Sequence, residues 1–237
     1  MSRLAMIAVA LTLLAGGCGE SAAPTTTRPP PDTVPEIPLI PSDYDEFRAR
    51  TTACGAEAPA AVERMTFSSP DDMGIPLESH PTATIATSCG EIVVELNPSL
   101  APATVNSFVF LASRGYFDGT VSHRIVPGFI MQGGDPTATG LGGPGYSIPD
   151  EYPSPDFTYE RGVVAMANAG AGTTGSQFFI MLDDAGLTLS YSIFGKVIAG
   201  EDVLAVIAQI PLAPNVQGET SVPLETLYIE AVTIDGS

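Results

Sequence analysis

Residues 121–135 read VSHRIVPGFIMQGGD and place one cation, Arg124, among apolar residues that alternate as in a β-strand. Alternate residues of a strand share a face, so Arg124 and Gln132 lie on the same side of a regular strand. Pro127-Gly128 favours a bulge or tight turn, which would bring Phe129 to the side of Arg124. We interpret the stretch as the wall of a binding site. A half-buried strand with a solvated arginine is the alternative that this stretch alone leaves open.

A second stretch, residues 162–182, reads GVVAMANAGAGTTGSQFFIML and holds two apolar runs around a loop of Gly, Thr, Asn and Ser. Together the two stretches resemble the cyclophilins, which are peptidyl-prolyl cis/trans isomerases. The resemblance covers roughly residues 80–236, about two thirds of the chain, and says nothing about the first third. It rests on His123-Arg124, Phe129, Gln132-Gly133-Gly134-Asp135, Met166-Ala167-Asn168 and Gly175-Ser176-Gln177-Phe178-Phe179-Ile180.

The resemblance implies an enzyme that rotates X-Pro peptide bonds and uses no cofactor. An amide resists twisting by roughly 18–20 kcal/mol because the nitrogen lone pair is delocalised. A guanidinium can hydrogen-bond the prolyl nitrogen only after that resonance is lost, which is differential binding of the transition state. On this basis the expected catalytic residues are Arg124, Phe129 and Gln132, and the expected substrate-binding residues are Ile130, Ala167, Asn168, Phe179, Leu187 and Tyr191.

A binding module is the alternative function, because the same pocket could hold proline-containing segments as a chaperone or scaffold of the cell envelope without turnover. We favour the enzyme, since a pure binder has no evident need for the cation. Proline-containing polypeptides are the expected partners in both cases, and we expect the protein to be a monomer.

The main domain, residues 81–237, is predicted to be built mostly from short strands. Alternation and turn residues predict a hairpin from 83–87 and 91–96, and periodicity predicts helices over 102–113 and 201–208. Many short strands with few helices imply a sandwich or a barrel. The resemblance makes it a mainly β fold: an eight-stranded antiparallel closed β-barrel capped by two helices. Further strands are expected at 162–167, 177–182, 193–197 and 227–234.

The N-terminus has the features of an export signal. Arg3 precedes an uncharged apolar run, residues 4–15, that is too short to span a bilayer, and Gly16-Gly17-Cys18 follows. Cys18 resembles the lipidation site of bacterial lipoproteins, although cleavage without a lipid is the alternative. Residues 19–41, rich in Pro and Thr, are predicted to be a tether. The expected location is outside the cell, with a lipid anchor on the outer face of the bacterial cell membrane.

Residues 42–80 form an N-terminal extension to which we assign no chemistry. Residues 42–46 could cap and start a short helix, and Phe67 could pack on the main domain. With Cys18 set aside, Cys54 and Cys89 remain as two thiols in an exported chain. A disulfide between them is therefore expected, and two free buried thiols are the alternative.

Composition excludes several function classes. The net charge of −18 argues against nucleic-acid binding and against attraction to anionic lipids, so membrane association must come from the N-terminal lipid. The two histidines have no Cys or carboxylate at ligand spacing, so no metal site is predicted.

The chain departs from the family pattern at the rim of the pocket. The family often has Phe where Ser122 stands, Trp or another large residue where Gly186 aligns, and His where Tyr191 aligns. In family members that bind the cyclic peptide cyclosporin, the rim Trp contributes an indole N–H and an apolar face. The absence of any Trp in this chain puts rim contacts and inhibitor binding in question more than the role of Arg124.

Lipidation makes a direct prediction. The mature protein should partition with membranes, and Cys18→Ser should release or mislocalise it, because the acceptor thiol of the lipid is gone. Fractionation and blotting of cells that express either form is the measurement, with Ser21→Ala as a control in the same segment. Equal soluble fractions of the native and Cys18→Ser proteins would contradict lipidation.

Overall fold

The computed structural model describes residues 40–236, so the signal, Cys18 and most of the tether lie outside the described residues. None of the helices in the described range is long and apolar enough to cross a bilayer. The helices are α1 (Tyr44–Arg48), α2 (Pro102–Ser113) and α3 (Glu201–Ile207). The strands are β1 (Thr82–Thr87), β2 (Gly90–Leu96), β3 (Thr120–Val121), β4 (Arg124–Val126), β5 (Ile130–Gly133), β6 (Val163–Met166), β7 (Phe178–Met181), β8 (Ile193–Ala199), β9 (Leu212–Pro214), β10 (Thr220–Pro223) and β11 (Tyr228–Asp235).

Nine strands form one antiparallel sheet in the order β3-β11-β1-β2-β8-β6-β7-β5-β4, and β9 and β10 form a separate pair. The predicted mainly β class with few helices is confirmed. The main sheet has one strand more than the eight expected. An isolated antiparallel bridge joins Val121, on the edge strand β3, to Asp135, just beyond β5.

The elements predicted from local patterns are present. β1 and β2 pair as a hairpin in the register Thr82↔Glu95 to Thr87↔Gly90, and every second residue of β1 is buried. Helix α2 has the predicted bounds and begins with Pro102, which has no N–H to leave unpaired in the first turn. Helix α3 ends one residue earlier than predicted, and its first turn carries the expected acidic residues.

The stretch 121–135 contains a hairpin, and the Pro127-Gly128 pair forms its tight turn. The N–H of Phe129 donates to the carbonyl of Val126 at 3.0 Å, and Gly128 has a φ of +72°. That φ suits glycine at the third position of a type II turn, where proline is favoured at the second. β4 and β5 therefore pair in the register Arg124↔Gln132 to Val126↔Ile130, which accounts for two short strands in this stretch.

Two hydrophobic clusters occupy the two faces of the sheet around β7. Phe108 of α2 centres the larger cluster, with its ring 5.1 Å from Phe117, 5.6 Å from Phe178 and 5.1 Å from Phe194. The next residue along β7, Phe179, belongs to the smaller cluster. Successive residues of a strand point to opposite faces, so Phe178 packs in the core while Phe179 faces the smaller cluster on the other side of the sheet.

The N-terminal extension packs against the main domain. The hydroxyl of Tyr44 donates to the carbonyl of Gly119 at 2.9 Å, and the ring of Phe67 contacts Phe110 of α2 edge-on at 5.0 Å. Helix α2 is buried nearly all round, which a surface helix with one apolar stripe would not be. The extension covers its second side, and Asn106 on α2 and Arg114, the residue just after the helix, bind the extension at Asp71.

A disulfide joins Cys54 of the extension to Cys89 at the β1–β2 turn, with a Cα–Cα distance of 5.2 Å and a sequence separation of 35. Its two ends lie on different parts of the fold, so the bond ties the extension to the sheet.

Closing a loop of this length should stabilise the protein by about 3–4 kcal/mol, because the crosslink restricts the unfolded chain. Cys54 and Cys89 should resist alkylation until a reductant is added, and reduction should lower the free energy of unfolding measured in denaturant. The double variant Cys54→Ala/Cys89→Ala is the control, since its stability should not respond to reductant. Full labelling of both cysteines in native, unreduced protein would rule out the bond.

Candidate active site

Arg124 lies at the centre of the candidate site with 28% of its side chain exposed. The register of β4 and β5 places it opposite Gln132, and its Nη1 donates to Gln132 Oε1 at 3.3 Å. Its Nε and Nη2 donate to the two carboxylate oxygens of Glu219 at 2.8 and 2.7 Å. The guanidinium carbon lies 6.0 Å from the centroid of the Phe129 ring, so the tight turn brings Phe129 to the side of Arg124.

An apolar cluster continues the site from Phe129 along the outer face of the sheet. The rings of Phe179 and Tyr191 meet edge-on at 5.5 Å, and Tyr159 lies behind them, 6.4 Å from Phe179. The expected substrate-binding residues Ile130, Ala167, Phe179, Leu187 and Tyr191 all belong to this cluster. An aromatic wall of this kind can accept a proline ring and exclude water.

The backbone next to the cluster has free hydrogen-bonding groups. Within residues 40–236, the N–H of Asn168 and the carbonyl of Ala167 have no hydrogen-bond partner. The side chain of Asn168 is already engaged, since its Nδ2 donates to the carbonyl of Ser190 at 2.9 Å. Its backbone, rather than its side-chain amide, is therefore available to an extended peptide.

A groove of about 600 Å³ runs on from Gln132 past residues 140–147 and 167–169. Gln132 Nε2 donates to Gln177 Oε1 at 3.0 Å, and Gln177 Nε2 donates to the carbonyl of Gly142 at 3.0 Å. The two glutamines thus link the arginine to the wall of the groove, and the orientation of Gln132 depends on both neighbours.

The environment shifts the pKa values of two groups next to Arg124. Burial lowers the pKa of His123 to about 4, so this neighbour of Arg124 is neutral at neutral pH and adds no second positive charge. The hydrogen bonds from Arg124 lower the pKa of Glu219, which therefore stays ionised and paired. No cluster of three or more metal-binding side chains occurs among the described residues.

Sequence reasoning missed three residues of the site. Gln177 shares a strand face with Phe179, so the alternation of residues 177–182 could have identified it. Tyr159 accepts a hydrogen bond from the N–H of Tyr191 and donates to its carbonyl, and nothing local marks it. Glu219 lies 95 residues from Arg124 in the chain, with no motif around it.

The rim loop, residues 183–190, contains Gly186, one of the three residues that depart from the family pattern. Gly186 is exposed, and a Cβ atom built on it would meet nothing within 4 Å. Leu187, the next residue, is partly buried in the apolar cluster. The loop therefore has room for a large side chain at position 186.

Sequence comparison gives a consistent result for the main domain. The family model described as cyclophilin type peptidyl-prolyl cis-trans isomerase/CLD matches residues 82–234. Peptidyl-prolyl cis-trans isomerase B of Streptomyces anulatus is 42% identical over an alignment of 172 residues that covers 65% of this chain and 95% of that protein. Peptidyl-prolyl cis-trans isomerase A of Mycobacterium tuberculosis is 39% identical over an alignment of 170 residues that covers 65% of this chain and 91% of that protein.

A solved structure shares the same architecture. The crystal structure of a cyclophilin type isomerase from Cryptosporidium parvum, determined in the presence of the dipeptide Ala-Pro, has a TM-score of 0.60 and 34% sequence identity to this chain. The match covers 66% of this chain and 99% of the Cryptosporidium chain. With the family model matching residues 82–234 and these relatives matching the same domain, this chain belongs to the cyclophilin family and is a peptidyl-prolyl cis-trans isomerase.

Proposed function

We propose that Arg124 is the catalytic residue and that it stabilises the twisted X-Pro amide. The observation that carries this proposal is the position of its guanidinium, beside the Phe129 ring at 6.0 Å and in contact with Gln132 at 3.3 Å. A proline ring seated on the aromatic wall would present its nitrogen to the Nη1 side of the guanidinium. A donor held there binds the prolyl nitrogen more strongly once that nitrogen has become pyramidal in the twisted amide.

The remaining expected residues hold the substrate. Phe129, Ile130, Phe179, Leu187 and Tyr191 would form the apolar seat of the proline ring. The free backbone groups of Ala167 and Asn168 and the amide of Gln132 would hold the peptide on one side of the bond. When one side of the X-Pro bond is held in the site, the substrate has already lost orientational freedom before the bond rotates. Binding therefore lowers the entropy cost of reaching the transition state.

We propose that the protein works outside the cell, tethered by a lipid on Cys18 to the outer face of the bacterial membrane. Its substrates there would be proline-containing segments of exported or envelope proteins, whose folding waits on X-Pro bonds that isomerise in tens to hundreds of seconds. The signal-like residues 1–18 and the Pro/Thr-rich residues 19–41 support this setting. We further propose that it acts as a monomer.

We also propose that the nine-stranded main sheet closes into a barrel, with α2 and α3 over its ends. The isolated bridge between Val121 and Asp135 supports closure, since it links the β3 edge to the segment that follows β5. A closed sheet has no free edge and gives β4 and β5 a rigid base.

Arg124→Ala should lower kcat/KM about 10²–10³-fold, because a positioned donor to the transition state is lost. A protease-coupled or NMR exchange assay on an X-Pro peptide measures it. Arg114→Ala is the matched control, since it removes an arginine paired with a carboxylate on the far side of the core and should leave turnover unchanged. A folded Arg124→Ala protein with near-native kcat/KM would refute the mechanism and favour a non-catalytic chaperone.

The native protein should be weakly inhibited by cyclosporin, because Gly186 offers neither an indole N–H nor an aromatic face. The loss should amount to about 30- to 1,000-fold in affinity relative to a Trp-bearing rim. Gly186→Trp should strengthen inhibition, and the open space at this position can accept the side chain. Inhibition constants of both proteins test this, and nanomolar inhibition of the native protein would contradict it.

A further inference from the structure

The carboxylate of Glu219 occupies one whole edge of the Arg124 guanidinium. A guanidinium carries five N–H donors, and Nε and Nη2 give one each to the two Glu219 oxygens at 2.8 and 2.7 Å. Nη1 gives one to Gln132 at 3.3 Å. A bidentate pair of this kind fixes the plane of the guanidinium as well as its position. Nη1 lies on the Gln132 side, makes no hydrogen bond to Glu219, and has a second N–H without a partner within residues 40–236.

Glu219 is itself held in place by a hydrogen-bonded loop between β9 and β10. Its N–H donates to the side chain of Asn215 at 3.0 Å, and its carbonyl accepts from the N–H of Asn215 at 2.7 Å. The same side-chain oxygen of Asn215 accepts from the N–H of Gln217 at 2.9 Å. The glutamate therefore extends from a closed turn, so its backbone does not have to be ordered when it binds Arg124.

Two opposite effects of this pair on catalysis must be weighed. The negative charge of Glu219 partly neutralises the guanidinium, which would weaken its attraction for an anion. The prolyl nitrogen of a twisted amide, however, is neutral, and it accepts a hydrogen bond along one lone-pair direction. The direction of the Nη1 donor therefore matters more than the net charge, and an arginine free to rotate would miss it for part of the time.

We infer that Glu219 is a positioning residue for the isomerisation: it clamps the guanidinium of Arg124 so that Nη1 faces the proline pocket. This inference rests on the proposed catalytic role of Arg124. It assigns a function to the β9–β10 hairpin, which lies outside both motifs that identify the family. Arg124 is carried by β4 and contacts Gln132 on β5, and the hairpin adds a third contact, through Glu219, that fixes the orientation of the guanidinium.

Glu219→Gln tests the clamp, because glutamine keeps the size of the side chain and replaces one of the two accepting oxygens by a donor. We expect kcat/KM to fall about tenfold, mainly through kcat, with KM changed by less than about twofold. The Nε–H resonance of Arg124 should exchange faster with water, a signature that a merely structural change would not produce. Asp71→Asn is the matched control, since it breaks the exposed pair with Arg114 and should leave kcat and Nε–H exchange at Arg124 unchanged.

A double-mutant cycle with Arg124→Ala separates this inference from the proposed mechanism. If Glu219 acts through Arg124, adding Glu219→Gln to Arg124→Ala should cause no further loss of turnover. A strong defect in Arg124→Ala together with native or faster turnover in Glu219→Gln would overturn the clamp and leave the mechanism standing. Native turnover in Arg124→Ala would overturn both. An equal loss from Glu219→Gln with and without Arg124 would show that the glutamate acts elsewhere and would also refute the inference.

Discussion

The tight turn at Pro127-Gly128 is the constraint on which the site depends. It sets the register of β4 against β5, and that register places Arg124 opposite Gln132 and Phe129 beside the guanidinium. A slip of one residue would turn the arginine toward the core and Ile125 toward the pocket, because successive residues of a strand face opposite sides. Proline limits the backbone at one turn position, and glycine supplies the positive φ at the next. The short turn therefore leaves little freedom for another pairing.

The rest of the molecule makes that geometry rigid. Phe178 and its neighbours around Phe108 fill the core, while Phe179, one residue along, forms the wall of the pocket. A displacement of β7 would therefore disturb the core packing and the site together. The charges next to Arg124 are also fixed, because burial keeps His123 neutral and the carboxylate of Glu219 is paired with the guanidinium. A protein of net charge −18 thus presents one oriented cation to its substrate from this wall.

The sequence predicted the parts of the fold and site that are local in the chain. The hairpin β1–β2, helices α2 and α3 and the contacts of Arg124 with Gln132 and Phe129 all follow from periodicity, turn residues and two contiguous motifs. Long-range contacts were not predictable in this way. The pair of Arg124 with Glu219 joins residues 95 apart in the chain. A glutamate in a polar turn has the same neighbours in the sequence whether its carboxylate binds an arginine or only water. The count of main-sheet strands also differed from the eight that the resemblance implied, and the stretch 121–135 alone contributes two short strands joined by a tight turn.

Because the extension covers α2, the segment that matches the family and the segment that packs together begin at different residues. The family model begins at residue 82, whereas the extension already packs on the main domain from Tyr44 onward. A fragment cut at the family boundary would keep every residue proposed for chemistry, but it would lose Phe67 from the face of Phe110 and would break the link from Cys54 to Cys89. The face uncovered on α2 would be apolar, and large apolar patches on a soluble protein promote association. The segment matched by the family model and the segment that packs together in this chain therefore have different N-terminal boundaries, and the longer segment keeps the apolar face of α2 covered.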